Sequence, residues 1–386
     1  MKKILLISSK YPPDRGGVAG YTESLARALS EDIIVDVLTT GINEFSEEVG
    51  SSNFKVMRQI PSWGFRGFWK INKILRQGKY DCVNIQYVPH AYGWLGINVA
   101  LPVFLIYWRI TGVRFSFFCH EIALPISIRY IKWLPFALFN WLVYITIVLC
   151  SKQVGVSCEK WKKYTEKVFF WCKNKCHSIP IFSTFEGIET RSDSIDNLKI
   201  RYGLDDIKVT MVFMGGLHPS RLIRYVIDSF DYLISKRYEV KLLCVGVDTE
   251  KIIKLIPKEK GHLKKSLILT GYLEDAEIAE LINFGDLFLC PYSDGVSMRR
   301  SSLMAALCFG LPIITTKTKY TERVFYNLKF ILMSNSDDKE GFISNVERMI
   351  KDKENLKVFG KKAKDFYEKH FSLKQVKNTY LKKLLQ

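Results

Sequence analysis

The sequence predicts an α/β protein with two Rossmann-like domains that face a cleft. The chain has 386 residues, which is more than a single hydrophobic core usually organises. Strand-like apolar runs alternate with helical periodicity in two separate sets, a pattern typical of parallel sheets covered by helices on both faces. A polar stretch at 183–197 shows no apolar periodicity and lies between the two sets. We therefore expect one parallel sheet on each side of this stretch.

The first set holds four strand-like runs. They are KILLISS (3–9), IIVDVLTT (33–40), CVNIQYV (82–88) and RFSFFCH (114–120). The first run is too short for the apolar region of a signal peptide, and we interpret it as a buried strand. A longer apolar segment follows at 134–150. It is shorter than the roughly 20 residues that span a bilayer, so we predict a buried or interfacial helix.

The second set repeats the pattern after the polar stretch. Its strand-like runs are 208–216, 240–246, 266–272, 286–292 and 311–316. Helical periodicity covers 220–236 and 275–284, and a closing helix at 371–386 is expected to cross back to the first domain. We place an N-terminal domain at 1–185, a C-terminal domain at 186–370 and the returning helix at 371–386.

The charge and the cysteines limit the class of protein. With 57 Lys plus Arg against 39 Asp plus Glu, the net charge is +18, which indicates an anionic partner such as nucleic acid, an anionic membrane or phosphorylated ligands. The nine cysteines are an odd number that lies mostly inside apolar runs, so we expect reduced thiols in a cytoplasmic protein. The segment CKNKCH at 172–177 lacks further zinc ligands at a suitable spacing. We predict no metal there.

Several residues that follow the predicted strands could meet a ligand, because ligands of doubly wound sheets bind beyond the carboxyl ends of the strands. Gly16 and Gly17 open a helix after the first strand, where a phosphate site and a tight structural turn are equally good interpretations. His120 ends the fourth strand and is either a ligand-facing or a structural histidine. Arg221 could clamp a diphosphate or belong to a solvated helix face.

Five segments, in this order across both halves of the chain, resemble a known family. They are YPPDRGGVAGYTESLARAL (11–29), CHE (119–121), FMGGLHPSR (213–221), LTGYL (269–273) and PYSDGVSMRRSSLMAALCFGLPIITT (291–316). The set resembles glycosyltransferases of the GT-B fold, specifically family 4. The resemblance implies a nucleotide-sugar donor held mainly by the C-terminal domain and an acceptor held mainly by the N-terminal domain. It also implies retention of the anomeric configuration without a catalytic metal.

The chain departs from the family pattern at its paired glutamates. The two positions fall at Ser297 and Ala305, and neither is acidic. The Gly-Arg pair that follows the first strand of the second domain in the family is Gly215-Gly216 here. The lysine that follows this pair in the family is matched approximately by Arg221. The sequence instead resembles a branch with a DGxSxRR motif. In that branch Asp294, Arg299 and Arg300 would take over some of the missing roles.

The resemblance also predicts a chemical role for the residues at 294–302. In a sugar transfer, negative charge grows on the leaving phosphate, so cations and helix N-termini should face the diphosphate. We expect Arg299 and Arg300 to supply forked donors, and Ser301 and Ser302 to cap a helix over 301–309. A capped helix with solvated arginines is the alternative. Gly295 would let the protein backbone approach the ligand closely, and Asp294 would accept hydrogen bonds from sugar hydroxyls.

The positions after the predicted strands and the family resemblance together give each candidate residue a role. The catalytic candidates are His120, which the resemblance places near the donor sugar, and Asp294. The resemblance also implies that backbone groups of Gly271, Tyr272 and Leu273 recognise the base. The complete donor-binding set is Gly16, Gly17, Gly215, Arg221, Gly271, Tyr272, Leu273, Gly295, Ser297, Arg299, Arg300, Ser301 and Ser302.

The sequence therefore predicts a hexosyltransferase that needs no cofactor and uses a UDP- or GDP-linked donor. The expected acceptor is lipid-linked or a surface glycan such as an O-antigen. The segments 62–80 and 160–175 interleave aromatic and basic residues, which predicts peripheral attachment to the anionic inner face of the cell membrane. The alternatives are a non-catalytic nucleotide-sugar binder, an NAD-dependent oxidoreductase, which would lack its fingerprint glycines, and a nucleic-acid-binding protein. We expect no nucleic acid, because no RNA- or DNA-binding signature accompanies the charge.

Overall fold

A computed structural model describes residues 1–14, 16–41, 46–48, 53–123, 132–188, 192–204 and 209–386. The chain forms two compact units. The first unit comprises Met1–Thr184 together with Leu373–Gln386, and the second comprises Phe185–Ser372. Each unit contains its own parallel sheet, as the two alternating sets predict.

The first unit is built on eight strands. They are β1 (Lys3–Ser8), β2 (Ile34–Thr40), β3 (Ser46–Glu48), β4 (Phe54–Ile60), β5 (Cys82–Tyr87), β6 (Phe115–Cys119), β7 (Gln153–Val156) and β8 (Cys176–Ser178). Their order in the sheet is β3-β4-β2-β1-β5-β6-β7-β8. Only β3 pairs antiparallel among these strands, with β4 at the edge. The strand β5 lies centrally, between β1 and β6.

Six helices cover this sheet. They are α1 (Gly17–Ser30), α2 (Phe65–Gly78), α3 (Ala100–Ile110), α4 (Leu134–Cys150), α5 (Glu159–Val168) and α13 (Leu373–Lys383). The helices α2, α3 and α4 pack a large aromatic and aliphatic core that includes Phe68, Phe104 and Trp108. The closing helix α13 packs on α1, where Lys377 bonds Glu31 at 2.7 Å. The prediction that the C-terminal helix returns to the N-terminal unit is confirmed.

The second unit has a six-stranded parallel sheet in the order β11-β10-β9-β12-β13-β14. Its strands are β9 (Val209–Met214), β10 (Val240–Val245), β11 (Leu267–Leu269), β12 (Leu287–Cys290), β13 (Ile313–Lys317) and β14 (Ile331–Asn335). Its helices are α6 (Ser192–Tyr202), α7 (Ile223–Ser235), α8 (Thr249–Leu255), α9 (Asp275–Asn283), α10 (Ser301–Cys308), α11 (Lys339–Lys351) and α12 (Leu356–His370). Strands β9 and β12 are neighbours at the centre, so the loops that follow them meet at one sheet edge.

The structure corrects one segment boundary and adds elements that the sequence did not reveal. The polar stretch at 183–197 is not wholly a linker, because α6 begins within it at Ser192. Of residues 197–202 only Leu198 is buried, so this helix leaves almost no apolar periodicity to detect. The strands β3, β4, β7, β8 and β14 and the helix α3 were not predicted. The helix α4 covers the predicted 134–150 segment.

Candidate active site

The turn between β12 and α10 brings two adjacent arginines to one carboxylate. Arg299 donates to Asp294 Oδ2 at 2.7 Å, and Arg300 donates to Asp294 Oδ1. The side chains of Arg299 and Arg300 are 24% and 13% exposed, respectively, so the alternative of solvated arginines is wrong. Both arginines precede the first residue of α10, as they must if adjacent side chains are to reach one point.

Arg300 is the more buried of the two cations. Its guanidinium lies over the Tyr292 ring, 4.2 Å from the ring centroid, and its Nη1 donates to Ser220 Oγ at 3.4 Å. Its Nε atom is buried and has no hydrogen-bond partner among the residues that the structure describes. Burial, helped by the nearby charge of Arg299, lowers the pKa of Arg300. A partly desolvated cation of this kind gains more from a bound anion than a solvated one does.

A third arginine joins the ends of two neighbouring strands. Arg221 donates through Nη2 to Ser302 Oγ at 2.7 Å and through Nη1 to the carbonyl of Met214. The Tyr292 hydroxyl lies 2.8 Å from the same Ser302 oxygen. Arg221 is therefore fixed between the loop after β9 and the start of α10, and it does not belong to a solvated helix face.

The expected capping of α10 by its serines is wrong. The N-cap residue is Arg300, and no side chain makes a cap hydrogen bond to the first turn. The Ser302 hydroxyl is engaged by Arg221 and Tyr292, because its side chain points into the core of the loop cluster. Ser301 is exposed at the first position of the helix. The backbone N–H groups at this helix start therefore have no side-chain cap.

These residues surround an open pocket of about 480 Å³. Three cations face it: Arg221, Arg299 and Arg300. The rest of the lining is Gly216, Leu217, His218, Ser301 and Ser302. The uncapped N-terminus of α10 lies in the same lining, and a helix N-terminus carries partial positive charge. The chemistry of the pocket therefore suits an anion with several oxygens.

Two glycines of the predicted set adopt a left-handed backbone in this unit. Gly215 has φ 94°, and a Cβ at this position would lie 3.2 Å from Arg221 Nη2. Gly295 has φ 80°, and a Cβ there would lie 2.7 Å from Thr321 Oγ1. The close approach that Gly295 permits is thus to the turn at 318–321. Ser297, beside it, has a buried hydroxyl without a hydrogen-bond partner.

The predicted base-recognition residues lie apart from the arginine pocket. Gly271, Tyr272 and Leu273 follow β11 at the edge of the sheet, and none of them lines the pocket. Tyr272 is 78% exposed. A Cβ on Gly271 would come within 3.8 Å of Thr249 Oγ1 at the start of α8.

In the first unit, His120 follows β6 and is held on several sides. Its Nε2 lies 3.0 Å from Gln86 Oε1, and its backbone N–H donates to the carbonyl of Tyr87. The rings of Tyr21 and Phe118 meet the imidazole edge-on, with centroids 4.8 and 4.7 Å away. The residue keeps some exposed surface, yet burial of the ring lowers the pKa of His120 to about 3. His120 is therefore neutral at physiological pH.

The glycine pair of the first unit opens α1. Gly16 has φ 135°, and its carbonyl accepts from the N–H groups of Ala19 at 3.1 Å and Gly20 at 3.2 Å. A Cβ on Gly16 or Gly17 would meet nothing within 4 Å. The backbone angle at Gly16 favours glycine, whereas the space around Gly17 does not require it. Arg15, the preceding residue, lies outside the described part of the chain.

The sequence did not single out several side chains that build these clusters. Tyr292 supports the arginines of the second unit, and Gln86 and Asn84 lie behind His120 in the first. The signal for the amides was present, because Asn84 and Gln86 interrupt the apolar residues of a central strand with polar side chains at a period of two. Tyr292 offered no comparable signal.

Two further findings concern metals and membranes. Within the described residues, no group of three or more His, Cys, Asp or Glu side chains is placed to hold a metal ion. Cys172 and Cys176 are buried free thiols. Among the helices that the described ranges contain, none has both the length and the apolar character needed to span a bilayer.

Comparison with known sequences supplies two family matches. The model described as Glycosyltransferase Family 4 matches residues 15–181, and the model described as Glycosyl transferases group 1 matches residues 208–352. An uncharacterized glycosyltransferase of Methanocaldococcus jannaschii is 24% identical over 98% of this chain and 97% of its own. The alpha-monoglucosyldiacylglycerol synthase of Streptococcus pneumoniae is 22% identical over 85% of this chain and 74% of its own.

Solved structures share the fold at low sequence identity. Sucrose-phosphate synthase of Thermosynechococcus elongatus has a TM-score of 0.75 at 14% identity, covering 99% of this chain and 98% of that one. HepE of Anabaena, crystallised with UDP and glucose, has a TM-score of 0.69 at 14% identity, covering 99% of each chain. Together with the two parallel sheets, these likenesses establish the GT-B fold.

Proposed function

Since the chain is a glycosyltransferase of the GT-B fold, we propose that it transfers a hexosyl group from a nucleoside diphosphate sugar to a lipid-linked or surface-glycan acceptor. We propose retention of the anomeric configuration and independence of a metal ion, both of which rest on the family resemblance. One observation carries the donor assignment: three arginines and an uncapped helix start surround one pocket in the second unit.

The diphosphate is the part of the donor that this pocket suits. Arg221, Arg299 and Arg300 place three positive charges around it, and Asp294 pairs with two of them. Charge on the leaving diphosphate increases toward the transition state, so preorganised cations lower the barrier as well as bind the donor. Rigid guanidinium forks suit phosphate oxygens better than point charges do.

Asp294 has a more specific role in this proposal than sugar binding. Both of its carboxylate oxygens accept from the arginine pair. We propose that Asp294 aligns the two guanidinium groups for the phosphates. It accepts a hydrogen bond from a sugar hydroxyl only when one of these arginines turns away from Asp294 to the ligand. The carbonyl of Asp294 is fixed by Thr318 Oγ1, which donates to it at 2.9 Å.

The nucleotide and the acceptor are suggested by named relatives. HepE of Anabaena was crystallised with UDP and glucose, which supports a UDP-linked donor here, with GDP as the alternative. The Streptococcus pneumoniae relative is named as a synthase of a glucosyl diacylglycerol, which supports an acceptor carried on a lipid. We propose that neutral His120 orients a hydroxyl during the transfer.

An exposed apolar surface in the first unit supports such an acceptor. The helix α3 is apolar on its exposed as well as its buried side: Leu101, Phe104, Leu105 and Trp108 are buried, whereas Val103, Ile106 and Ile110 are exposed, with Arg109 as the one charged residue of the helix. Because α3 packs against α4, these residues extend to the exposed Leu138 and Leu142. A solvated helix normally has one polar face, so a surface helix whose exposed residues are mostly apolar indicates an apolar partner.

Basic and aromatic side chains border this surface. Phe65 and Trp69 on α2 are exposed and pack their rings against Phe104 of α3. Arg66 and Lys73 are exposed on α2, and Arg109 on α3. We call the exposed apolar residues of α3 and α4 with this border the α2–α4 surface. We propose that it docks on an anionic bilayer at the inner face of the cell membrane, with the protein otherwise in the cytoplasm.

A donor screen followed by product analysis tests the proposed function. Thermal shift with UDP, GDP and their hexose conjugates identifies the nucleotide, since a ligand at 100 times its Kd stabilises the fold by about 2.7 kcal/mol. Transfer to a glycolipid or diacylglycerol acceptor is then followed with and without a chelator. We expect one nucleotide to stabilise the protein, the anomeric configuration to be kept and the chelator to have no effect. If no nucleotide stabilises the protein and no donor is consumed, the proposal is wrong.

A further inference from the structure

We propose that Gln86 is a positioning residue that holds His120 in a single neutral tautomer, with the proton on Nε2 and the lone pair of Nδ1 free to accept a hydrogen bond from a substrate hydroxyl. This inference rests on the proposed function, in which His120 orients a hydroxyl. It concerns a side chain that neither the family pattern nor the predicted site includes.

A chain of buried hydrogen bonds runs along β5 and ends at the histidine. Asn84 Nδ2 donates to Ser116 Oγ at 2.9 Å, and Gln86 Nε2 donates to Asn84 Oδ1 at 2.7 Å. Gln86 Oε1 then faces His120 Nε2 at 3.0 Å. Asn84 and Gln86 are 0% and 1% exposed on the central strand of the sheet. Ser116 pairs with Asn84 across the β5–β6 ladder.

The order of donors along this chain fixes the proton on the imidazole. The Gln86 amide nitrogen is committed to Asn84, so its oxygen is the atom that meets the ring. An amide oxygen can only accept, and therefore Nε2 must carry the hydrogen. Nδ1 has no hydrogen-bond partner among the described residues, and His120 keeps part of its surface exposed. The free lone pair thus lies where a ligand can reach it.

The burial of Asn84 and Gln86 indicates that these side chains have a role other than stabilising the fold. Two amide side chains in the core of a parallel sheet gain little stability, since their burial is costly unless every group is hydrogen-bonded. Here they are bonded in series, and the last free acceptor is directed at the histidine. Because burial keeps the imidazole neutral, two tautomers compete, and the one that can accept a hydroxyl hydrogen bond at Nδ1 needs an acceptor at Nε2.

The chain offers a matched control. His177 Nε2 lies 2.9 Å from Gln153 Oε1, with His177 on the edge strand β8 and Gln153 on its neighbour β7. The contact joins the same two atoms as that of His120 and Gln86, at nearly the same distance, but the pair lies outside the predicted site residues. Replacing Gln153 should therefore change the local histidine environment without changing transfer.

The test reads the tautomer directly by NMR of the full chain labelled with ¹⁵N-histidine. The protein has six histidines, and the His120→Asn and His177→Asn variants assign the two relevant ring systems. We expect wild-type His120 to show a protonated Nε2 and an unprotonated Nδ1 at pH 7. In Gln86→Met we expect a mixture of tautomers, a fall in kcat of about tenfold or more, and a nucleoside diphosphate Kd within twofold of wild type. Gln153→Met should leave kcat within twofold.

Three results would overturn the inference. The first is a wild-type His120 protonated on Nδ1, which is decisive even if Gln86→Met fails to fold. The second is a Gln86→Met variant that keeps the Nε2–H tautomer, and the third is one that keeps full turnover. The tautomer is read without any substrate. Failure of the wild-type protein to use any donor therefore counts against the proposed function, and a wrong tautomer counts against the role of Gln86.

Discussion

The guanidinium of Arg221 donates to the hydroxyl of Ser302 across a distance of 2.7 Å. This bond joins the loop after β9 to the first turn of α10, the two segments that form opposite sides of the arginine pocket. Ser302 is 2% exposed, and its oxygen also contacts the Tyr292 hydroxyl. Hydrogen bonds among Arg221, Ser302 and Tyr292 therefore hold the two sides of the pocket together.

Replacing this serine should destabilise the second unit and weaken anion binding together. Ser302→Ala leaves a buried guanidinium N–H without its acceptor, which costs about 1 to 3 kcal/mol of unfolding free energy. Ser301→Ala is the matched control, because Ser301 is exposed and makes no cap bond, and we expect a change within about 0.5 kcal/mol. Chemical denaturation of both variants measures the difference. Equal stability of the two variants would show that the Arg221–Ser302 hydrogen bond does not contribute to the free energy of unfolding.

Much of the fold could be predicted from sequence, because buried parallel strands are continuous apolar runs and helices between them have a clear period. The strands β1, β5, β6, β9 and β12 were visible for this reason. The strands β7, β8 and β14 and the helix α3 were not. The strands β7 and β8 are short. The helix α3 has only one charged residue, Arg109, so it lacks the alternation of polar and apolar residues by which a surface helix is recognised.

The site was only partly predictable. The turn that carries Arg299 and Arg300 could be located, since it follows a buried strand and precedes a helix. The capping by Ser301 and Ser302 could not be judged, because competition for the Ser302 hydroxyl comes from Arg221, which lies 81 positions away along the chain. Contacts between loops of neighbouring strands depend on sheet order, and no local pattern records that order.

The depressed pKa of His120 predicts a specific pH dependence of stability. Its folded pKa of about 3 lies below the unfolded value of about 6.5, so the unfolded chain binds more protons between these values and stability falls as the pH drops through that window. In the described part of the chain, the side chains recorded in contact with the ring are neutral: Gln86, Phe118 and Tyr21, whose own pKa is raised by burial.

The measurement compares wild type with His120→Gln. From pH 7 to pH 5, wild type should lose about 1 to 2 kcal/mol more unfolding free energy than the variant, because only wild type has the histidine to protonate on unfolding. The variant tests the histidine alone, since every other titrating group is shared. Parallel pH profiles for the two proteins would contradict a buried neutral imidazole.

The α2–α4 surface predicts binding to anionic vesicles that salt weakens. Introducing a carboxylate at Ile110 should lower the vesicle-bound fraction about tenfold, because an apolar side chain contributes roughly 1.5 to 3 kcal/mol when fully buried. Ile200→Glu is the matched control, since Ile200 is 82% exposed and Ile110 is 79% exposed. Co-sedimentation with vesicles of anionic and of neutral lipids measures both. Equal loss of binding in the two variants, or no wild-type binding at low salt, would show that the α2–α4 surface does not bind the membrane.

The central claim is that Arg299 and Arg300 hold the diphosphate of the donor, and calorimetric titration of UDP and GDP into arginine variants tests it most directly. A charged hydrogen bond contributes about 1.5 to 3 kcal/mol, so Arg299→Ala and Arg300→Ala should each raise the Kd about tenfold or more. Arg300→Ala should have the larger effect because this cation is the more desolvated, and Arg300→Lys should recover only part of the affinity. Arg348→Ala, on the exposed side of α11, is the control and should bind as wild type does. If both alanine variants bind the nucleoside diphosphate as tightly as wild type, the arginine pocket is not the donor site.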